Sequence, residues 1–302
     1  MSSVHTTAYQ QLVAAAAGLK VPDAVRRVAT SQPEDPQPGQ IWRAAWEDVI
    51  QLLLVTEVGD GDTLRAVPAS FERFADADTL LLPASASTLE EPLALWWGLE
   101  GTVPWCVLDR QVSALSDRPV ALTGRSLADA VAGARWGSGA AVSAAGNEYR
   151  GVLTDRVEVL ASARWEPPGS GDLPQLFEDK AIEAEDLVAE LELPLPQALA
   201  VWRGKQPLTT EQATKLAERL GQPADRLLAA NPALPPDVVH ELNRPLRRAR
   251  VKALAARFDE TELDARRRAA YGIFALAARQ ERPAGPNWTA RTDRYFELRL
   301  GN

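Results

Sequence analysis

The chain has 302 residues, 46% hydrophobic and 25% charged, with a formal net charge of −8, which is the composition of a globular protein of about two domains. No run of about 18 apolar residues is present to span a membrane, and residues 1–11 lack the basic segment and apolar core of a signal peptide, so a cytoplasmic location is expected. A single cysteine, Cys106, excludes an internal disulfide, and with only His5 and His240 beside it a zinc site of several His and Cys ligands is excluded too.

Charge is unevenly spread. Residues 1–175 hold 13 basic and 22 acidic side chains, whereas residues 176–302 hold 20 and 19. An acidic first half repels nucleic acid, so any such binding is assigned to the second half.

In chain order, residues 7–30 read as two short helices broken by Gly18 and Pro22, and 31–39 as a proline-rich linker. Short apolar runs follow at 41–45, 49–58, 64–68, 80–83 and 103–108, with Gly59-Asp60-Gly61-Asp62 as the clearest turn between them. This spacing predicts a small antiparallel barrel or curled sheet. Trp42, Trp46, Trp96, Trp97 and Trp105 all fall here and read as core and rim filling, with Cys106 as a buried small hydrophobe. Residues 136–148 and 166–175 read as loops, and 149–165 as a hairpin or a strand returning to the sheet. The pattern is helical from about 176 to 282, and the alternation in 295–300 predicts one last strand. The expected fold is therefore α+β, divided into 1–35 (short helices and linker), 36–165 (barrel) and 176–302 (all-α).

The most specific stretch is 198–220. Thr209 and Gln212 form a capping box, Leu208 staples onto Ala213, and Ala213, Leu216, Ala217 and Leu220 make one stripe ended by Gly221 and Pro223. Ile182, Leu187, Leu191 and Leu193 mark an earlier helix, and residues 197–202 a third. With Arg203-Gly204-Lys205, Pro207-Leu208-Thr209 and Leu220-Gly221, residues 176–230 resemble the Cro/phage-repressor (XRE-type) family. The resemblance implies a helix-turn-helix, double-stranded DNA as partner and a homodimer. Within it, Gln197 is the candidate reader of a base, and Arg203, Lys205 and Gln206 are candidate backbone contacts. The departures lie on the same surface: Glu183, Ala184, Glu185 and Asp186 stand where a phosphate-gripping helix start belongs, and the reading stretch is Pro194-Leu195-Pro196-Gln197-Ala198-Leu199-Ala200.

A second basic surface is expected on the helix opening at Arg244-Pro245, where Arg244, Arg248 and Lys252 are spaced by four with Arg247 beside them, and no acidic residue occurs from 244 to 257. The competing expectation is a solvated face, or one paired with the chain's own carboxylates. Farther on, Leu263, Ala270, Phe274 and Ala277 repeat on one face, which packs on the preceding helix or on a second copy.

In the first half, residues 38–42, 51–58, 67–70 and 107–115 resemble the MazF/PemK toxin family, which implies an SH3-like barrel. Active members cleave RNA, but the loop that carries their motif is missing between Trp46 and Val49, leaving only Arg43 and Ser70 as candidates. No phosphate loop, nucleophile elbow or dinucleotide fingerprint occurs, and no cofactor is expected. The leading expectation is a DNA-binding regulator of toxin–antitoxin or phage-response type, not an enzyme. A protein–protein adaptor with a degenerate helix-turn-helix is the alternative, and a toxin-like ribonuclease the third reading.

Overall fold

The structure, a computed structural model, describes residues 34–301 apart from 73, 117–118, 120, 139–142, 167–168 and 278–286. The two short helices expected in 7–30 lie outside the described residues. The chain forms two compact units. The first takes the described residues of Met1–Gly59, Leu64–Val103 and Arg110–Ala161; the second takes Asp60–Thr63, Pro104–Asp109 and Ser162–Asn302. Among the described residues no helix is long and apolar enough to cross a membrane.

The first unit is built on an open eight-stranded sheet: β1 (Gln40–Trp46), β2 (Val49–Val58), β3 (Thr63–Ser70), β4 (Thr79–Leu82), β5 (Leu93–Trp96), β6 (Gly101–Pro104), β7 (Leu108–Ala114) and β8 (Arg135–Trp136). Their order is β7-β1-β2-β3-β5-β4-β8, with β6 also on β3. Trp46 pairs with Val49, so Glu47 and Asp48 make a two-residue hairpin turn, with Glu47 in the left-handed region at φ 49. An isolated antiparallel bridge joins Ser87 and Leu115 outside the named strands.

Directly paired residues share a face of a sheet, and successive residues alternate. Ile41, Leu54 and Val67 therefore face one way, into a core completed by Leu80, Leu95 and Leu127, the last from helix α1 (Gly124–Ala130). Trp42, Leu53 and Pro68 face the other way, where helix α2 (Ala144–Ala161) packs on β1 and β2. Both faces are covered, which explains the unbroken apolar run at Leu52-Leu53-Leu54-Val55.

Helix α2 corrects the hairpin or strand expected at 149–165. The β-branched residues Val152, Thr154, Val157 and Val159 imitate a strand, but the buried positions Leu153 and Leu160 follow the helical period, and Ser143 caps the start through Gly146 N–H. Trp42 and Trp96 are buried, their indoles donating to Gln40 Oε1 and Ser70 Oγ.

In the second unit, helices α3 (Leu173–Asp179), α4 (Ala184–Leu191), α5 (Leu195–Trp202), α6 (Thr210–Leu220) and α7 (Ala224–Ala229) share one core around Phe177, Leu187, Val201, Leu216 and Leu227. The cap of α6 is as the sequence specifies. Thr209 accepts from Gln212 N–H, Gln212 accepts from Thr209 N–H, and Gly221 closes the helix at φ 59. Buried Asn231 locks the preceding loop, accepting from Leu208 N–H at 2.7 Å and donating to Leu208 O at 3.0 Å.

Four more helices follow: α8 (Pro236–Asn243), α9 (Pro245–Phe258), α10 (Glu262–Ala277) and α11 (Trp288–Leu300). Helix α11 replaces the strand expected at 295–300. Asn287 caps it through Ala290 N–H, and Thr292, Tyr295 and Phe296 are buried at helical spacing. Helix α10 packs on α8, α9 and α11, with Ala270 and Ile273 buried. Of the face expected to pack on the preceding helix or on a second copy, Ala270 is buried and Leu263 and Phe274 are half-buried, and the side chain of Ala277 lies outside the described residues. Cys106 is buried in this unit, and burial pushes its thiol up to about 11.

Candidate nucleic-acid interface

The sequence points to two surfaces, and the structure treats them oppositely. At and after helix α5, Gln197, Arg203 and Lys205 are exposed, and Gln206 is half-buried. Among the described residues, neither Arg203 nor Lys205 makes an ion pair or a side-chain hydrogen bond. Between them Gly204 has φ 64, and a Cβ there would lie 2.9 Å from Pro174 Cγ, so only glycine fits. The turn consumes its own amides, since Lys205 and Gln206 N–H both bond Ala200 O.

The start of α5 is a poor anion site. Helix N-termini hold phosphate through unsatisfied N–H groups. Here Pro194 and Pro196 have no N–H, and those of Gln197 and Ala198 are spent on Pro194 O at 2.8 and 3.0 Å. Leu195 projects from this start and is 47% exposed. The start of α4 is acidic. Glu183 and Asp186 form the capping box, and Glu185 stands exposed in the first turn. Asp186 and Glu190 are held by Arg219 of α6. The backbone N–H of Glu183, then Arg219, hold the Asp186 carboxyl below its usual range.

In the second surface, the basic ridge of α9, the two central arginines face inward. Arg247 is 2% exposed; its Nε donates to Glu241 Oε1 at 2.8 Å, and it also pairs with Asp293. Arg248 is buried, with Nη1 on Val107 O at 2.6 Å and Nη2 on Glu262 at 3.1 Å. Arg244 lies 3.4 Å from Glu241, and Lys252 lies 2.9 Å from Asp109. Arg250 joins Asp293, and fully buried Arg266 joins Glu262 at 2.8 Å. Partial burial pushes Asp293 up, but hydrogen bonds and charge from Arg247 and Arg250 outweigh it and hold the carboxyl below its usual value. Of the expected ridge of Arg244, Arg247, Arg248 and Lys252, Arg247 and Arg248 are buried and Arg244 is half-buried, while Lys252 is exposed, and all four bond the chain's own carboxylates. Glu262 and Arg266 at i,i+4, and Glu241 and Arg244 at i,i+3, were the sequence signals of that pairing. Asp293 and Asp109 are too distant in sequence to have given one.

The two toxin-like candidates do not form a site. Arg43 pairs with Leu52 and Leu52 with Ala69, so Arg43 and Ala69 share a face and Ser70 points to the other. Ser70 is buried, and its hydroxyl accepts from the Trp96 indole at 3.0 Å, a packing role.

No protein-family model, curated protein or solved structure matches the chain. A functional reading therefore stands on these residues alone. Of the eight DNA-contact candidates, Gln197, Arg203, Lys205 and Lys252 are exposed, Gln206 and Arg244 are half-buried, and Arg247 and Arg248 are buried.

Proposed function

We propose that this protein is a non-catalytic protein–protein adaptor, whose helix-turn-helix has the packing of the Cro/phage-repressor kind and a reading face suited to protein. The observation that carries this reading is Leu195, about half exposed at the first position of α5 and flanked by two prolines. Exposed Glu183, Glu185 and Glu192 lie on and beside the neighbouring helix α4, and no Lys or Arg occurs from 181 to 202. Phosphate is repelled by such a surface, whereas an apolar protein surface rimmed with cations complements it. The curled sheet of the first unit is read as an SH3-like scaffold without toxin chemistry.

One observation favours the DNA-binding regulator as a second reading: Arg203 and Lys205 are exposed cations with no carboxylate partner among the described residues. Duplex-DNA anisotropy at about 50 and about 200 mM salt separates the two. The adaptor reading expects no binding at either salt, together with a nuclease-resistant protein cross-link from a photoreactive residue placed at 195 in cells. That cross-link should disappear when Glu185 and Glu192 are changed to Lys. Binding that falls steeply with salt and vanishes in an Arg203→Glu, Lys205→Glu variant replaces the adaptor with the regulator.

A further inference from the structure

Within the first unit, the sheet face that buries Ile41, Leu54 and Val67 is left open at one end. Leu52 pairs with Ala69, and Ser70 pairs with Ala94. One step farther in the same register, Phe71 stands between Ile50 of β2 and Leu93 of β5. Alternation puts Ile50 and Phe71 on the face of Leu54 and Val67. Leu93 is buried there, whereas Ile50 is 51% and Phe71 53% exposed. Positions opposite one another in a sheet have Cβ atoms about 5 Å apart, so the two side chains make one apolar patch.

The cover of this face stops short of the patch. Helix α1 supplies Leu127 to the core, but its seven residues make only about 10 Å of helix. Its start is fixed at the far side of the sheet, where a Cβ at Gly124 would lie 2.6 Å from the Trp136 ring and 3.1 Å from the Trp97 ring. Trp136 belongs to the edge strand β8, three strands from β3. The rim of the open end is acidic. The turn Glu47-Asp48 adjoins Ile50, Glu72 follows Phe71, and Glu90-Glu91 lead through Pro92 into Leu93; all five carboxylates are exposed. Among the described residues none of the five is held in an ion pair. No Lys or Arg occurs at 44–52, 66–72 or 84–96, and Arg43, one step inward opposite Leu52, is half-buried.

Such a surface repels phosphate and a second copy of itself, and complements an apolar stripe flanked by cations. The face of a sheet is completed by a helix, as α1 does for the other end, and a helix with one apolar stripe is the element that fits here. We propose that Ile50 and Phe71 are the docking site for a basic amphipathic helix of another protein. Its apolar stripe covers the two side chains, and its lysines or arginines meet Glu47, Glu72, Glu90 and Glu91. This surface belongs to the first unit and does not depend on Leu195 being a contact.

Photo-cross-linking from a benzoyl-phenylalanine placed at 71 in the purified full-length chain tests this. The probes are two synthetic helices of about 15 residues, one of Leu and Lys with Leu at helical spacing, the other with Glu in place of every Lys. The Leu/Lys helix should give a saturable cross-link at least about tenfold above that of the Leu/Glu helix. Ile50→Ser, and separately Glu47→Lys with Glu90→Lys and Glu91→Lys, should each lower the yield at least about fivefold. All four positions are exposed, so these variants keep the fold, which circular dichroism checks. Leu195→Ser should leave the yield unchanged, which separates this site from the one on α5. Equal yields from the two helices, no cross-link to either, or a yield that survives the variants or falls with Leu195→Ser overturns the proposal. So does a cross-link to residues 1–33 or to a second copy that the Leu/Lys helix fails to displace, since the patch then belongs to that occupant.

Discussion

Among single residues, Glu241 is a buried carboxylate that joins two arginines of the helical unit. It is buried, accepts from Arg247 through both Nε and Nη2, receives the Thr289 hydroxyl at 3.1 Å and lies 3.4 Å from Arg244. A buried arginine left without its counter-ion costs about 3–5 kcal/mol, while an isosteric neutral amide retains part of the hydrogen bonding. Glu241→Gln should therefore destabilise by about 2–3 kcal/mol, since Asp293 still serves Arg247. Urea denaturation checks this, and a loss under about 0.5 kcal/mol, within the range of ordinary surface substitutions, would show that the network is not holding the bundle. The same logic changes how charge reversals are read. Converting buried Arg247 or Arg248 to Glu reports on folding, so the exposed Arg203, Lys205 and Lys252 are the informative positions for DNA.

At the scale of elements, α10 and α11 approach closely. A Cβ at Gly272 would lie 2.1 Å from Tyr295 Cε2, on a ring that is itself buried. Gly272→Ala should lower stability by at least about 2 kcal/mol, because overpacking outweighs the gain of about 1 kcal/mol in helix propensity. In the double variant with Tyr295→Leu, much of that loss should be restored; thermal melts of the two would show no difference if the helices simply separate. Elements with local punctuation were legible in the sequence. Thr209, Gln212 and Gly221 specify α6 by contacts within a few residues. Helix α2 and helix α11 were not legible, because β-branched residues and a two-step alternation mimic strands where only the burial of Leu153, Leu160, Tyr295 and Phe296 reveals the helical period. The candidate site divides the same way. Exposure of Gln197 and Arg203 followed from a local turn, but the burial of Arg247 and Arg248 depends on Asp293 and Val107, 46 and 141 residues away.

For the molecule as a whole, the consequential feature is that the helical unit is discontinuous in sequence. Composition places a boundary between about 165 and 176, and a fragment beginning at Ser162 contains every helix from α3 onward. Such a fragment still lacks the segments 60–63 and 104–109 that belong to the same unit. Three polar groups then lose their partners: Arg248 its acceptor on Val107 O, Lys252 its ion pair with Asp109, and Asn243 its bond to Asp62. Arg248 and Asn243 are buried, and such donors left unsatisfied cost about 1–3 kcal/mol each, with charged Arg248 at the upper end; the exposed Lys252 loses an ion pair worth about 0–1 kcal/mol. Against a typical domain stability of about 5–15 kcal/mol, that removes a large share of the total. A 162–302 fragment should accordingly unfold at a much lower urea concentration than the same residues in the full chain, with the loss concentrated in α8 and α9. Helices α3–α7, whose core and Asn231 lock are contained within 173–231, should keep their hydrogen-exchange protection. Uniform loss of protection across both sets of helices would mean that they fold as one cooperative block. Unchanged protection in α8 and α9 would mean that Val107, Asp109 and Asp62 contribute little, and the polar network would have to be reassigned to Glu262, Glu241 and Asp293 alone.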